Sequence, residues 1–429
     1  MTPHPPHYRR NFAAFLGDYV GFALAMTFAS TTTVLPNFVA QLTDSEVAVG
    51  LVATVRDGAW LLPQLIFAHW LTNKRRKKPY VVLGAVVGRP LYLLYAVALI
   101  LGLARQPVLA LASLLVVQFV LFGSDALAAV AWFDVLGKAI PQERRGRLLG
   151  AAQLISGLLA IGVGALIAAL LSTDGPPFPD NYAAILALSG GCLLFSLLSW
   201  SFVIEPDEPV EEQRSAWRDY LPQLINTLRQ DRAFARLIVV RLLAGCEGLA
   251  LGFYILFATR ELGLPEATVG WYTTAQTAGR ILSSVALGAL VERAGSHRVV
   301  QVATGLGMTA PLVGLALALA GVGASVTTSA IYAWVFVVSG IVISSGMLGH
   351  FNYVLDLAPV GQRPTYVGLF NTISGVLIVL PPLGGWLLRT TSYGVLFGLT
   401  AALLILAHVL SLSLPSAHTV PELQPEPVT

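Results

Sequence analysis

Charge is what this chain has least of. Asp, Glu, Lys and Arg make up only 11% of its 429 residues, less than half the roughly 25% of an ordinary soluble domain. A soluble protein of this length needs more polar surface than these side chains supply, so the chain reads as a polytopic membrane protein. Cysteine is almost missing: Cys192 and Cys246 both lie in apolar runs, which excludes a disulfide scaffold or a cysteine metal site. The seven histidines are scattered, with no His-Glu-x-x-His pair, and no metal or other cofactor is expected. A glycine-rich loop ending in Gly-Lys-Ser or Gly-Lys-Thr is also absent, which disfavours ATP-driven transport. The formal charge of +3 is too small to argue for a nucleic-acid partner.

Long apolar runs are what is there instead, with a mean hydropathy of +0.72. A helix crossing the hydrocarbon core needs about 20 such residues. Twelve runs qualify: 12–40, 47–72, 80–103, 108–137, 148–172, 183–204, 234–260, 268–292, 298–320, 328–357, 364–388 and 393–414. The expected fold is all-α integral membrane, twelve transmembrane helices in two pseudo-symmetric six-helix bundles. "ALA" at 23–25 resembles a signal-peptide cleavage site, but Asp18 interrupts the apolar core before it, so the run reads as a retained helix.

Basic residues set the orientation. With the N-terminus inside, nineteen fall on one side: Arg9, Arg10, Lys74–Lys78, Lys138, Arg144, Arg145, Arg147, Arg214, Arg218, Arg229, Arg232, Arg236, Arg293, Arg298 and Arg363. Only Arg105, Arg260 and Arg389 fall on the other. That bias predicts both termini in the cytoplasm. The run Lys74, Arg75, Arg76, Lys77, Lys78 then lies in a cytoplasmic loop, where it is expected to touch anionic headgroups at about 1 kcal/mol per residue. No aromatic platform accompanies it, so nucleic acid is not the expected partner.

The domains read as 1–204, an N-terminal bundle; 205–233, a cytoplasmic linker; 234–416, a C-terminal bundle; and 417–429, a disordered tail. Within the linker Trp217, Leu221, Leu224 and Leu228 recur at helical spacing, as in a short interfacial helix.

The halves repeat. Gly150, Ile155, Ser156 and Gly157 match Gly368, Ile373, Ser374 and Gly375 at an offset of 218, which Pro141/Pro359 and Arg145/Arg363 keep. Val49-Gly50 matches Val269-Gly270 at an offset of 220. Duplicated six-helix halves characterise one broad class of transporters.

On these features the whole chain resembles the major facilitator superfamily. "GALVERAGSHR" fits that family's loop pattern through Gly288, Glu292, Arg293, Gly295 and Arg298. The first-half counterpart, "AHWLTNKRRKK", is degenerate, with Ala68, Thr72 and Asn73 in place of the glycine, acid and arginine. "ERRGRLLG" and "PPLGGWL" are further family-like stretches. The loop motif implies a charge network that clamps helix ends in one state. Glu292 and Arg293 would serve in the second half. In the first, where the acid is missing, Asp134 or Glu143 would have to act, beside Arg145.

Charges inside spans are expensive and are functional candidates. At about 1.5 Å per residue, Glu247 and Arg280 come out about 20 and 18 Å deep, close enough to pair. Arg89 and Asp125 come out about 15 and 20 Å deep, and Arg89 reads as a structural ion pair. Arg56 and Asp57 lie about 23 Å deep, and Asp18 about 10 Å. The resemblance implies that spans one, four, seven and ten line a central cavity, which puts Glu247 and Asp125 near a solute path. Competition of a proton, a solute and Arg280 for Glu247 would then be the coupling device. Trp60, Gln64, Trp132, Gln153, Tyr254, Tyr272, Gln276, Asn352 and Asn371 are the pocket candidates.

The function these features imply is secondary active transport of a small solute by a monomer, ion-coupled, with protons as the expected ion. The span-four arginine and span-five Gly-Pro pair of the family's antiporters are missing, so direction stays open. A non-transporting sensor with the same fold is the alternative. A membrane-embedded enzyme lacks any nucleophile–base pairing to support it.

Overall fold

The computed structural model describes residues 7–71, 74–207, 231–359 and 362–416. The expected linker helix, the tail, and Thr72 and Asn73 of the degenerate loop lie outside the described residues. Every regular element among the described residues is helical. In chain order these are α1 (Tyr8–Phe28), α2 (Val34–Leu42), α3 (Glu46–Leu61), α4 (Gln64–Leu71), α5 (Lys78–Gly88), α6 (Leu91–Ile100), α7 (Pro107–Ala139), α8 (Gln142–Leu170) and α9 (Asp180–Ser201). The second half follows as α10 (Arg232–Gly245), α11 (Phe253–Leu256), α12 (Thr268–Ala294), α13 (Ser296–Gly307), α14 (Thr309–Ala320), α15 (Val326–Ser345), α16 (Asn352–Leu357), α17 (Arg363–Ser374), α18 (Leu380–Thr390) and α19 (Tyr393–Ser411).

Ten of the described segments are long and apolar enough to cross a membrane, so the protein is a multi-pass membrane protein. The two expected spans that miss this measure are the second, α3 with α4, and the eighth, α12. These are the pair that the Val-Gly repeat relates. Each misses it for a physical reason. Pro63 follows α3 and divides its run into two short helices, because proline withholds a ladder N–H and clashes with the preceding turn. In α12, Thr273, Thr274, Gln276, Thr277, Arg280, Ser283 and Ser284 dilute an otherwise apolar helix.

Other spans are broken too. Hydropathy makes the first a single run over 12–40, but α1 stops at Phe28 and α2 starts at Val34. The intervening "ASTTT" is rich in hydroxyls that compete with the backbone ladder: Ser30 Oγ takes the Thr32 N–H at 3.3 Å. Pro36 has no N–H to return to the Thr32 carbonyl. Pro90 separates α5 from α6 in the same way. Span seven passes from α10 through a 3₁₀ turn, Cys246–Leu249, and ends in a π turn, Phe257–Glu261. Span ten carries a π turn at Gly346–Phe351 between α15 and α16. Irregular turns of this kind recur at functional sites.

The chain forms two compact units. One comprises Met1–Arg214, Gly252–Thr277 and Pro381–Arg389, and the other Ser215–Leu251, Ala278–Leu380 and Thr390–Thr429. The first has a buried core of Phe15, Leu71, Val81, Ala131, Val135, Ile140 and Trp200. In the second, Phe234, Leu237, Val300, Tyr353, Tyr366 and Leu414 play that part.

Within the first unit, glycines permit the closest approaches at the helix ends remote from the basic loops. A Cβ on Gly50 of α3 would lie 2.4 Å from the Pro381 carbonyl oxygen, and one on Gly385 of α18 2.4 Å from the Glu46 oxygen. A Cβ on Gly270 of α12 would lie 2.2 Å from the Ala168 nitrogen in α8. Gly50 and Gly270 are the repeat-related pair, so the repeat reproduces a packing device as well as a sequence.

Candidate functional site

In the first unit the buried charges form a closed network. Arg89, at the α5–α6 break, donates to Asp18 Oδ1 at 2.9 Å and to Ser196 Oγ at 2.8 Å. Ser196 Oγ lies 2.6 Å from the same carboxylate oxygen, and Trp132 Nε1 donates to Oδ2 at 2.8 Å. Asp18 is 3% exposed and Arg89 5%, so each neutralises a charge too costly to bury alone. Depth suggests Asp125 as the partner of Arg89; the arginine's hydrogen bonds go instead to Asp18 on α1 and Ser196 on α9, and only its charge reaches Asp125. Asp125 takes a hydrogen bond from Trp60. Trp132, a pocket candidate by sequence, commits its indole N–H to Asp18 and packs edge-on against Phe15.

A second set is open. In α3, Arg56 donates to Thr31 Oγ1 at 2.8 Å across the α1–α2 break and lies over the Phe122 ring, 5.0 Å to its centroid. Its approach to Asp57 is 3.9 Å, and the Asp57 side chain is 59% exposed. Trp60 is exposed, and Gln153 of α8 is exposed. In the second unit Arg280 of α12 and Asn371 of α17 are exposed. Gln153 and Asn371 are repeat-related, at the offset of 218. Charged and amide side chains exposed within a membrane span are costly against lipid.

Arg280 is therefore not the partner of Glu247. Glu247, 7% exposed, sits on the 3₁₀ turn of span seven. The cation whose field reaches it is Arg241, earlier on the same span. Arg241 also lies over the Phe370 ring, at 5.9 Å. Ser339 Oγ stands 3.5 Å from Glu247 Oε1, although it donates to the Val335 carbonyl at 2.9 Å. His350, on the π turn of span ten, is 4% exposed and lies on the same cavity wall as Glu247. The sequence gives no reason to pair His350 with Glu247, because a lone histidine in an apolar run carries no spacing signal.

The remaining pocket candidates scatter. Tyr254 and Tyr272 are buried in packing. Gln276 accepts from Thr32 Oγ1 at 2.9 Å. Asn352 donates to the Leu348 carbonyl in its own helix, and Gln64 Nε2 is buried without a partner. Around Gln276, the first unit joins α1–α2 to its 252–277 segment: Thr33 and Thr273 hydroxyls meet at 2.7 Å, Thr259 donates to Asn37, Gln41 to Glu266 and Arg260 to the Ala40 carbonyl.

At the basic end, acids neutralise the five-residue run. Lys77 and Lys138 both pair with Asp134, the latter at 2.8 Å. Arg76 grips Asp207 through two hydrogen bonds of 3.0 Å, which holds that carboxyl below its usual range. Glu205, its side chain almost wholly buried, accepts the backbone N–H groups of Lys77 and Lys78 at 2.8–2.9 Å, capping α5. Lys78 Nζ bonds the Val203 carbonyl, and Lys74 lies 5.9 Å above Trp70. Of the two acids expected to act in place of the missing one, Asp134 pairs with Lys77 and Lys138, whereas Glu143 is exposed. Arg145 fastens the end of α7 through the Gly137 and Ile140 carbonyls. In the second half Gly295 adopts φ +83, Arg298 meets Gln301 at 2.9 Å and Ser296 donates to Asp356 at 2.6 Å. Glu292 and Arg293 are exposed, and neither forms an ion pair among the described residues.

No cluster of three metal-ligating side chains occurs among the described residues. The described spans carry buried charged side chains beside exposed polar ones.

Comparison with known proteins agrees. Residues 237–428 match the model of the Major Facilitator Superfamily. No curated protein sequence matches the chain significantly. Among solved structures, a mutant form of the nucleoside transporter NupG superposes with a TM-score of 0.69 at 11% identity, covering 94% of this chain and 99% of its own. A bacterial homologue of the iron transporter ferroportin, in its inward-facing state, gives 0.67 at 16%, covering 95% and 98%. A D-xylose–proton symporter gives 0.64 at 15%, covering 96% and 98%. The second half thus fits the pattern of the Major Facilitator Superfamily, and the whole chain shares the fold of these solved transporters.

Proposed function

We propose that the protein is a proton-coupled secondary carrier of a small polar solute, working by alternating access with both termini in the cytoplasm. The observation that carries this reading is the set of side chains with polar groups left exposed or half-exposed within spans: Arg56, Asp57 and Gln153 in the first unit, Arg280 and Asn371 in the second. A membrane helix with such a face borders water, and a solute path needs that water. On this reading α3 with α4, and α12, are also membrane spans. Their polar composition reflects the path they line, which completes twelve spans in two six-helix bundles, 1–204 and 234–416. The basic loops then face the cytoplasm, and their internal acids clasp the first bundle's helix ends. Anionic headgroups are left Lys74 and the outer faces of Arg75 and Arg76.

Opposite charges at Arg56 and Asp57 favour an ionisable or zwitterionic solute over an apolar one. The test is flux of a panel of amino acids, nucleosides, pentoses and divalent cations into vesicles holding the purified protein, with and without an inward pH gradient. At least one solute should accumulate under the gradient and lose accumulation at least tenfold in Arg56→Gln or Arg280→Gln. Specific binding without flux would make the protein a sensor and end the carrier reading.

A further inference from the structure

One small cavity in the second unit is built for something other than a solute. It lies where the 3₁₀ turn of span seven and the π turn of span ten face α13, with Glu247, His350, Ser345, Thr304, Ala303 and Gly307 on its walls. Its free volume is about 20 Å³. That admits one water, which needs roughly 10–15 Å³ and two to four polar partners, and nothing larger.

The walls are short of partners. Neither ring nitrogen of His350 completes a hydrogen bond, although the Ser345 backbone lies nearby. Among the described residues Glu247 has only the long 3.5 Å contact from Ser339. A buried imidazole and a buried carboxylate left this way each cost the desolvation of an unmade bond, about 1–3 kcal/mol. The hydroxyls at the rim are committed as donors, Ser345 to the Val342 carbonyl at 2.7 Å and Thr304 to the Val300 carbonyl at 2.9 Å. Thr304 Oγ1 also meets Ser411 Oγ at 3.1 Å, so Ser345 is the rim hydroxyl with acceptor capacity to spare. A single water can donate to the carboxylate, meet the imidazole, and satisfy both.

We propose that this cavity holds one water molecule bound between Glu247 and His350, and that through it the pair shares one exchangeable proton at a place the solute does not touch. The transfer balances within the site: the carboxyl O–H breaks as the water gains a proton, and the water's own O–H breaks as the imidazole N–H forms. Carboxylate and imidazolium result, with no other reactant. The groups facing the pair are few. Arg241 contributes its charge from the same span, and His408 of α19 stands behind Thr304 at 3.3 Å. From α15 comes the Ser339 hydroxyl. The proposal deepens the proton-coupled reading and rests on it, while replacing direct competition for Glu247 by coupling through helix geometry. The irregular turns that carry both groups are where such a change would be felt.

Infrared difference spectra of the full chain in detergent, taken across a pH series, test this without any solute. The wild type should show a carboxyl C=O band that titrates. Glu247→Gln should abolish that band. His350→Asn should move its midpoint by one pH unit or more, a tenfold change in proton affinity. His350→Gln substitutes if thermal unfolding shows that the Asn variant does not fold. A band that survives Glu247→Gln, or a midpoint unmoved by either His350 variant, overturns the proposal. Coupling itself is read separately. Wild-type flux indifferent to the pH gradient would fail the coupled reading and leave the band untouched. Full coupling in Glu247→Gln would fail the proposal and pass the role to Asp125.

Discussion

Asp18→Asn is the sharpest probe of the first unit. It leaves the size of the side chain unchanged and removes one charge from a pair that is 3% and 5% exposed. Arg89 then stays buried as an uncompensated cation, for which removal of one partner of a buried pair typically costs about 3–5 kcal/mol. The amide worsens matters, since Asp18 accepts from Arg89, Ser196 and Trp132 on two oxygens. Asn can offer one oxygen, and its NH₂ must face a donor. Arg89→Gln alone should cost a similar amount by stranding the carboxylate. Together, Asp18→Asn with Arg89→Gln bury two neutral amides, so the double variant should be less damaged than the sum by roughly 1.5–3 kcal/mol, the upper range for directly contacting residues. Denaturant unfolding in detergent, followed by tryptophan fluorescence, measures the cycle. Strict additivity would refute the pairing. Asp18→Leu with Arg89→Met separates structure from function, because a well-packed apolar replacement is often neutral or stabilising. If that variant is stable and still carries solute, the pair is structural; if it is stable and inactive, the pair works in the cycle.

Other expectations follow from particular contacts. Gly50→Ala and Gly270→Ala should each lower the thermal unfolding midpoint, by overpacking worth about 1–3 kcal/mol. Gly288→Ala, whose added carbon meets nothing within 4 Å, should not. Glu205→Gln should speed amide exchange over residues 77–81, because the α5 cap is weakened by about 0.5–2 kcal/mol. Burial pushes the Glu266 carboxyl up, so its contribution is fully present below the unfolded value of about 4.3 and lost as pH rises through the raised folded value. Glu266→Gln should therefore stabilise the protein near neutral pH and lose that advantage in acid, as pH-dependent unfolding would reveal. Asp207 runs the other way. Its bond to Arg76 holds the carboxyl down, so the clasp contributes above about pH 3.9 and is lost only as pH falls through the lower folded value. Asp207→Asn should then show no further loss in acid.

Much of the scaffold was legible because the membrane imposes it. Apolar length, loop punctuation and the offset of 218 need no knowledge of which way a helix is turned. Partnerships do need it, and counting 1.5 Å per residue gives depth without azimuth. Arg280 and Glu247 matched in depth, yet Arg280 is exposed and Arg241 supplies the charge. Arg89 matched Asp125, yet Asp18 lay on the face it meets. The breaks were half legible: Pro36, Pro63 and Pro90 stood in the sequence, but hydropathy averaged across them. Glu205 read as the start of a linker because its role depends on where the chain ahead of α5 returns, which no local pattern encodes.

The repeat explains what can differ between the two halves and what cannot. Positions fixed by backbone packing are duplicated, as at Gly50 and Gly270, where any side chain would collide. Polar faces are duplicated in kind at Gln153 and Asn371. Charges are not. At the same offset Asp134 corresponds to Asn352 and Lys138 to Asp356, so the ionic clasp of the first half has no counterpart at these positions in the second. There Ser296 and Asp356 meet through a single hydrogen bond. Close packing is set by shape and changes little with solvent conditions, whereas paired charges respond to salt and pH. A duplicated scaffold carrying unduplicated charges therefore confines the clasp's ionic response at the basic end to the first half. In the second half the buried ionisable groups Glu247 and His350 line one small cavity instead.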